Sequence, residues 1–276
     1  MELGIFAKTF PRPRLEAVLD AVAQNGYPRL QFNMVCTGLT SLPDALPPDL
    51  PDEIARQLHL RNLHMAALSG TYNMIHPNKP LREQGLRNLK LLIRSARRMG
   101  TQKITLCTGT FDEQDMWKAH PRNNSQEAWG LLCENLADAL AVAEDAGVQL
   151  LIEPELGNVV YSCARARQLL DEMQSEALGA VFDPANFFET ARPEEIRKLI
   201  SEGLDLLAGR IELAHAKDRN PDGSFTFPGN GILPFGFILR GLKEAGFDGD
   251  LVTHGLLESE AEATRIFLQR ELEAMA

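Results

Sequence analysis

Four times along this chain a helical pattern ends in a glycine and passes directly into a short apolar run: Asn25-Gly26, Met99-Gly100, Ala146-Gly147 and Ala245-Gly246. Glycine favours the left-handed backbone position just past the last turn of a helix. An apolar run of four to eight residues bounded by such a stop reads as a buried strand. A chain that repeats strand, helix, glycine, strand builds parallel pairs, because each helix carries it back to the end of the sheet where it started.

Short apolar runs mark eight strands: Leu3–Ala7, Leu30–Met34, His64–Gly70, Lys103–Gly109, Leu150–Glu155, Leu178–Asp183, Ile211–Ala216 and Leu251–His254. Helical spacing fills the gaps, over Arg14–Ala23, Asp52–Arg61, Leu81–Met99, Gln126–Ala146, Cys163–Gln174, Pro193–Glu202, Pro234–Ala245 and Glu258–Met275. Ser125 stands where a cap for its helix belongs. Leu42–Pro51, Thr110–Asn124 and Asp218–Gly231 read as loops. No linker or shift in composition divides the chain, so the pattern predicts one α/β domain over residues 1–276, a closed (β/α)8 barrel of the TIM type. A doubly wound open sheet fits less well. No glycine-rich nucleotide turn follows the first strand, which runs out as Phe6-Ala7-Lys8-Thr9-Phe10.

Barrels of this kind do their chemistry where strands end and loops begin. Strand five ends Leu151-Ile152-Glu153-Pro154-Glu155, strand six Val181-Phe182-Asp183, strand seven Leu213-Ala214-His215 and strand eight Val252-Thr253-His254. Residues two apart share a face of a strand. Glu153, Asp183, His215 and His254 are therefore expected on the same side as Leu151, Val181, Leu213 and Val252. Each residue has an ordinary reading by itself. Glu153 is a partner for Lys217 or Arg210, Asp183 a turn cap, and His215 a core histidine bonded to backbone. Four successive strand ends with carboxylate or imidazole in the same place point instead to one divalent metal ion. Mixed oxygen and nitrogen donors suit Mn, Zn, Co or Fe, with Mg as the harder alternative. Glu155, two residues beyond Glu153, is assigned to the rim.

Around these residues the chain resembles the sugar phosphate isomerase/epimerase family, the xylose isomerase-like TIM barrels. The resemblance rests on Ile152-Glu153-Pro154, Phe182-Asp183-Pro184-Ala185-Asn186, His215-Ala216-Lys217-Asp218, Pro228-Gly229-Asn230-Gly231, the helix and turn Leu239–Gly249, and His76-Pro77-Asn78. It covers nearly the whole chain and is specific for fold rather than substrate. In that family a Glu, an Asp, a His and a Glu after strands five to eight hold a divalent metal. The resemblance assigns the first three roles to Glu153, Asp183 and His215 and puts His254 where the second Glu is expected. It implies a metal-dependent isomerase or epimerase acting by proton transfer beside a carbonyl, with Glu153 and His254 as the catalytic pair. With an imidazole in place of the second carboxylate, His254, Glu155 or Glu258 must serve as the second base for epimerisation. A one-base dehydratase, or a ligand-binding protein with a decayed site, are the alternatives. Substrate contacts are expected from Asn33, His76, Trp117, Asn186 and Lys217, while Asp218 is expected to orient loop backbone.

The expected partner is a small polyhydroxy carbonyl compound. A formal net charge of −10 argues against nucleic acid and anionic membranes as partners, and against an endonuclease-like hydrolase on the same fold. The four cysteines stand far apart with no CxxC pair, the N-terminus lacks the apolar run of a signal peptide, and no stretch is long enough to span a bilayer. A reducing cytoplasm is the expected compartment. Relatives often form dimers or tetramers, so a homo-oligomer is expected from the resemblance.

Overall fold

The computed structural model describes residues 1–275. Eight strands close into a parallel barrel: β1 (Glu2–Phe6), β2 (Arg29–Phe32), β3 (His64–Ser69), β4 (Lys103–Leu106), β5 (Gln149–Ile152), β6 (Leu178–Phe182), β7 (Ile211–Ala216) and β10 (Asp250–Thr253). Each strand pairs with its neighbours in sequence order, and β10 pairs with β1 to complete the ring. Eight α-helices alternate with these strands: α1 (Leu15–Gln24), α2 (Leu50–His59), α3 (Lys79–Met99), α4 (Gln126–Ala146), α5 (Cys163–Met173), α6 (Pro193–Leu207), α7 (Phe235–Glu244) and α8 (Ala261–Glu273). The (β/α)8 barrel expected from the strand–helix–glycine repeat is the fold observed.

The glycines act as the pattern requires. Gly26, Gly100, Gly147 and Gly246 all have positive φ, and Gly100 and Gly147 are the left-handed caps of α3 and α4. The helix starts are capped by side chains. Asn78 accepts from the Leu81 N–H, Ser125 from that of Ala128 and Ser162 from that of Arg165. Each such bond satisfies one of the four orphan N–H groups of a helix start and contributes about 1 kcal/mol.

Helix α6 runs to Leu207, five residues past the stop expected at Glu202. Gly203 does not end it. It lies in the helix because a β-carbon there would stand 2.9 Å from the Cys163 sulfur and 3.2 Å from the Phe182 ring. That glycine serves close packing of the helix on the barrel wall, not a turn. The loop after β7 holds a small antiparallel hairpin, β8 (Asp218–Arg219) with β9 (Phe225–Thr226).

Two apolar layers hold the barrel. The outer one joins the strands to the helices, with Leu89, Ile93 and Ala96 of α3 and Leu132, Leu136 and Ala139 of α4 fully buried. The inner one is a separate cluster of Ala66, Ala67, Leu151, Val181, Leu213 and Val252. The last four are the residues two before Glu153, Asp183, His215 and His254. The period-two reading of the strand ends therefore corresponds to the observed interior, and the plug beneath those four side chains is apolar and buried.

Candidate metal centre

Glu153, Asp183, His215 and His254 follow or end β5, β6, β7 and β10, and they meet above the inner cluster. Each offers one donor atom, and the four donors lie within 4.8 Å of one another. His215 Nδ1 is 3.1 Å from Glu153 Oε1 and 4.0 Å from Asp183 Oδ2, and His254 Nε2 is 3.2 Å from Asp183 Oδ2. Asp183 and His215 are buried, and Glu153 is 9% exposed. The two imidazole rings meet edge to face with centroids 4.5 Å apart.

Buried carboxylates need partners, and here the partners are polar side chains from neighbouring strands. Asn186 Nδ2 donates to Glu153 Oε1 at 3.0 Å, and Asn186 Oδ1 accepts from Lys217 Nζ at 2.7 Å. Lys217 Nζ also reaches Asp183 Oδ2 at 3.1 Å. Asp183 Oδ1 accepts from the Ala185 N–H, so the remaining oxygen faces the cluster. Burial alone would push the Asp183 carboxyl up. The Lys217 ammonium and the His254 hydrogen bond outweigh it and hold the group well below the usual carboxylate range. Lys217 is the mirror case: burial would lower it, but Asp183, Glu155 and Glu153 keep it charged and raised. Burial and the neighbouring His215 push His254 down to about 4, so its ring is neutral at pH 7. A neutral imidazole is the form that ligates a metal. Two carboxylates and two imidazoles at these separations fit one divalent ion.

Glu153, His215 and His254 line a cavity of about 1100 Å³, just above the ~300–1,000 Å³ typical of small-molecule sites, and Asp183 is fully buried beside them. The model for the xylose isomerase-like TIM barrel family matches residues 19–266. The chain belongs to this family. Fructoselysine 3-epimerase of Shigella flexneri is 23% identical, covering 99% of this chain and 96% of that one. Inosose dehydratase of Clostridium beijerinckii is 22% identical, covering 83% and 82%. The solved structure of the IOLI protein with a binding zinc atom shares the fold at a TM-score of 0.72 and 17% identity, covering 99% of this chain and 96% of that one.

As a xylose isomerase-like barrel, the chain has a wall above the cluster that is only partly the one expected. Asn33, Trp117, Asn186 and Lys217 line the cavity. Asn33 spends its side chain on local structure, accepting from the Val35 N–H and bonding Ser41. Asn186 and Lys217 are bonded to Glu153 and Asp183, so both steady the carboxylates. Trp117 is 48% exposed at the mouth, on a loop pinned by the buried side chains of Asn123 and Asn158. His76 is the exception. Its ring bonds the Glu113 carbonyl and the Asn78 N–H, and it lies outside the cavity lining. Its imidazole braces two loops against each other, away from the cavity in which a substrate contact was expected.

Glu258, one of three candidates for a second base, is bonded to Arg12 and does not line the cavity. Glu155 does line it. Burial first, and Glu153 next, push its carboxyl up to about 8. It lies past the end of β5, two residues beyond Glu153, and reaches the cavity from there. Asp218 does what was expected. Its carboxylate accepts from the backbone N–H groups of Arg219, Gly229, Gly231 and Leu233. One residue escaped the sequence reading altogether. Gln31 of β2 bonds the outer nitrogen of His215, Nε2 to Oε1, at 2.8 Å. The signal was present in Leu30-Gln31-Phe32, where an amide interrupts an apolar strand two residues before Asn33.

Proposed function

We propose that this chain holds one divalent metal ion through Glu153, Asp183, His215 and His254 and catalyses isomerisation or epimerisation of a small sugar- or polyol-derived carbonyl compound. The observation that carries the reading is the convergence of four strand-end donors within 4.8 Å, three of them on residues that line the cavity. The similarity to a fructoselysine 3-epimerase supports the reaction class. A divalent ion held there would polarise the substrate carbonyl and stabilise the negative charge that develops on its oxygen.

The residues of the chain supply the proton steps. Glu153 takes the proton from the carbon beside the carbonyl, and the electron pair of that C–H bond moves toward the carbonyl oxygen. Asn186 and His215 fix the orientation of the Glu153 carboxylate while this happens. Return of the proton to the opposite face requires a second group, and His254 and Glu155 are the two that line the cavity. Return to the adjacent carbon from the same face gives isomerisation; Glu153 carries the carbon-bound proton, and the proton of the adjacent hydroxyl passes to the former carbonyl oxygen.

A dehydratase reaction is the second reading. It is favoured by the imidazole of His254 in the place of a second carboxylate and by the similarity to an inosose dehydratase. There the same abstraction by Glu153 is followed by loss of a β-hydroxyl as water.

The test has two arms. Metal titration should give one divalent ion per chain, with affinity lost in Glu153→Gln and His215→Ala. A panel of ketoses and inososes is then incubated with the Mn-loaded protein in deuterated water. Deuterium entering beside the carbonyl without loss of mass supports isomerisation or epimerisation, and loss of one water supports dehydration. No ion bound by the wild-type chain, or equal binding by both variants, sinks the metal reading.

A further inference from the structure

Arg219 of β8 is a cation buried without a counter-ion. The residue is 5% exposed and stands two positions past Lys217. Its Nε donates to the Ala185 carbonyl at 2.9 Å, and its Nη1 donates to the Gly223 carbonyl. The guanidinium carbon lies 4.0 Å from the centre of the Phe225 ring, which pairs with Arg219 across the hairpin. These contacts fix the plane of the guanidinium. The remaining nitrogen, Nη2, bonds no group among the described residues. It is not sealed from solvent either, and the open space that Arg219 borders is the cavity.

Lys217 shows what a buried cation ordinarily does. It pairs with Asp183 at 3.1 Å and donates to Asn186 at 2.7 Å. Buried charges are rarely left unpaired, because an uncompensated ion is costly. Arg219 has no such ion pair among the described residues. Burial pushes its guanidinium below the ordinary value, with Asp183, Glu189 and Glu155 opposing this from a distance. The two cations form successive rungs. Lys217 holds Asp183, and Arg219 holds the backbone of Ala185 two residues on. Two residues of extended chain rise ~6–7 Å, so the guanidinium stands about one rung above the metal centre toward the mouth.

We propose that Arg219 anchors an oxyanion of the substrate, a carboxylate or a phosphate carried at a distance from the reacting carbonyl. This rests on the proposed function for the rest of the ligand. A guanidinium offers N–H donors in a plane that matches two oxygens of such a group. Nε is spent on a backbone carbonyl, and Nη2 and the second hydrogen of Nη1 are left for the ligand. Glu155 and Glu189 also line the cavity, but neither forms an ion pair with the guanidinium, so the counter-charge is left to the ligand. A neutral hydroxyl would accept the hydrogen bond and leave the charge unmatched.

Three six-carbon probes separate charge from shape: D-glucitol, D-gluconate and D-glucitol 6-phosphate. Each is titrated calorimetrically into wild type, Arg219→Met and Arg219→Lys. The titrations are run on manganese-loaded and on metal-free chains, so that binding through the ion is separated from binding through Arg219. Arg219→Met keeps an apolar stem against Phe225 and removes the charge. Arg219→Lys keeps the charge and removes the fork. Thermal melting checks folding.

In wild type at least one anionic probe should bind about tenfold or more tighter than glucitol, as charge-assisted hydrogen bonds imply. The larger gain names the group, carboxylate or phosphate. Arg219→Met should bring the probes to within about threefold of one another while manganese affinity stays within about threefold of wild type. Arg219→Lys should keep a weakened preference for the anion. Equal affinity for all three probes in wild type overturns the assignment whether or not the variants fold. So does a preference that Arg219→Met leaves intact, which puts the anion on the ion or on Lys8 of the same cavity. A wild-type chain that binds no manganese overturns the metal reading instead, and the metal-free titrations still decide the role of Arg219.

Discussion

Asp218 offers the sharpest test of how the cavity wall is held. Its carboxylate is 1% exposed and accepts four backbone N–H groups. Oδ1 takes those of Arg219 and Leu233 at 2.8 and 3.0 Å, and Oδ2 takes those of Gly229 and Gly231, both at 3.0 Å. Asp218→Asn preserves the shape but turns one oxygen into a donor. Two charge-assisted bonds are lost, and an NH₂ group is set against two N–H groups. At ~1.5–3 kcal/mol for each bond to a charged group, the loss is about 3–6 kcal/mol. The 229–231 backbone is close enough to the surface to admit water, so the lower end, about 3 kcal/mol, is expected. For a chain of this size ~2 °C is lost per kcal/mol, which gives a drop of about 6 °C in Tm. Calorimetric melting measures it, and hydrogen exchange at Gly229, Gly231 and Leu233 should rise at least tenfold. Asp222→Asn is the control. Asp222 is exposed and bonds only Ser224 on the same hairpin, so its change should stay within ~0.5 kcal/mol. An Asp218→Asn protein that melts with wild type and exchanges at the same rate would refute the anchoring role.

Asp250 should behave against the intuition for an ion pair. Its carboxyl is raised by burial despite Arg29 at 3.4 Å. A raised carboxyl favours the folded state below the unfolded value of 3.8 and loses that contribution as pH climbs through the folded value. Asp250→Asn should therefore gain in Tm relative to wild type between pH 3 and pH 7, and a relative loss over that window counts against it. His254→Glu adds a third carboxylate to the cluster and should move metal preference from Zn toward Mn by at least about threefold in competition titrations. An unchanged ratio would place residue 254 outside the ligand set. Trp117→Ala, at a half-exposed side chain on the mouth, should raise KM about 5–10-fold through the loss of ~1 kcal/mol of stacking, with Tm nearly constant. An unchanged KM assigns Trp117 to anchoring the loop.

The parts legible in the sequence are those governed by local rules. Glycines past helix ends, apolar runs of strand length and period-two alternation give the barrel, and they put Leu151, Val181, Leu213 and Val252 beneath the four donors. What was not legible depends on distant neighbours. Gly203 reads as a helix stop until Cys163 and Phe182 are seen pressing on it from across the packing. The two-residue strands β8 and β9 are too short for any period, although Asn220-Pro221-Asp222-Gly223 between them is a turn signal in its own right. His76 has the composition of a ligand and the surroundings of a brace. Gln31 required knowing that ring closure brings β2 within two strands of β7, which no spacing along the chain encodes.

The segment His215-Ala216-Lys217-Asp218 has a consequence for how such a protein can diversify. Within four residues it supplies an imidazole to the cluster, an ammonium to Asp183, and the anchor for the hairpin that carries Phe225 into the cavity wall. Changing one function there disturbs the other two, so the segment is a poor place to acquire a new substrate. The loop of Trp117, tied down by Asn123 and Asn158, shares no residue with the cluster. New specificities are cheapest to explore there, and directed evolution confined to residues 112–120 should change what the cavity accepts while leaving metal affinity untouched.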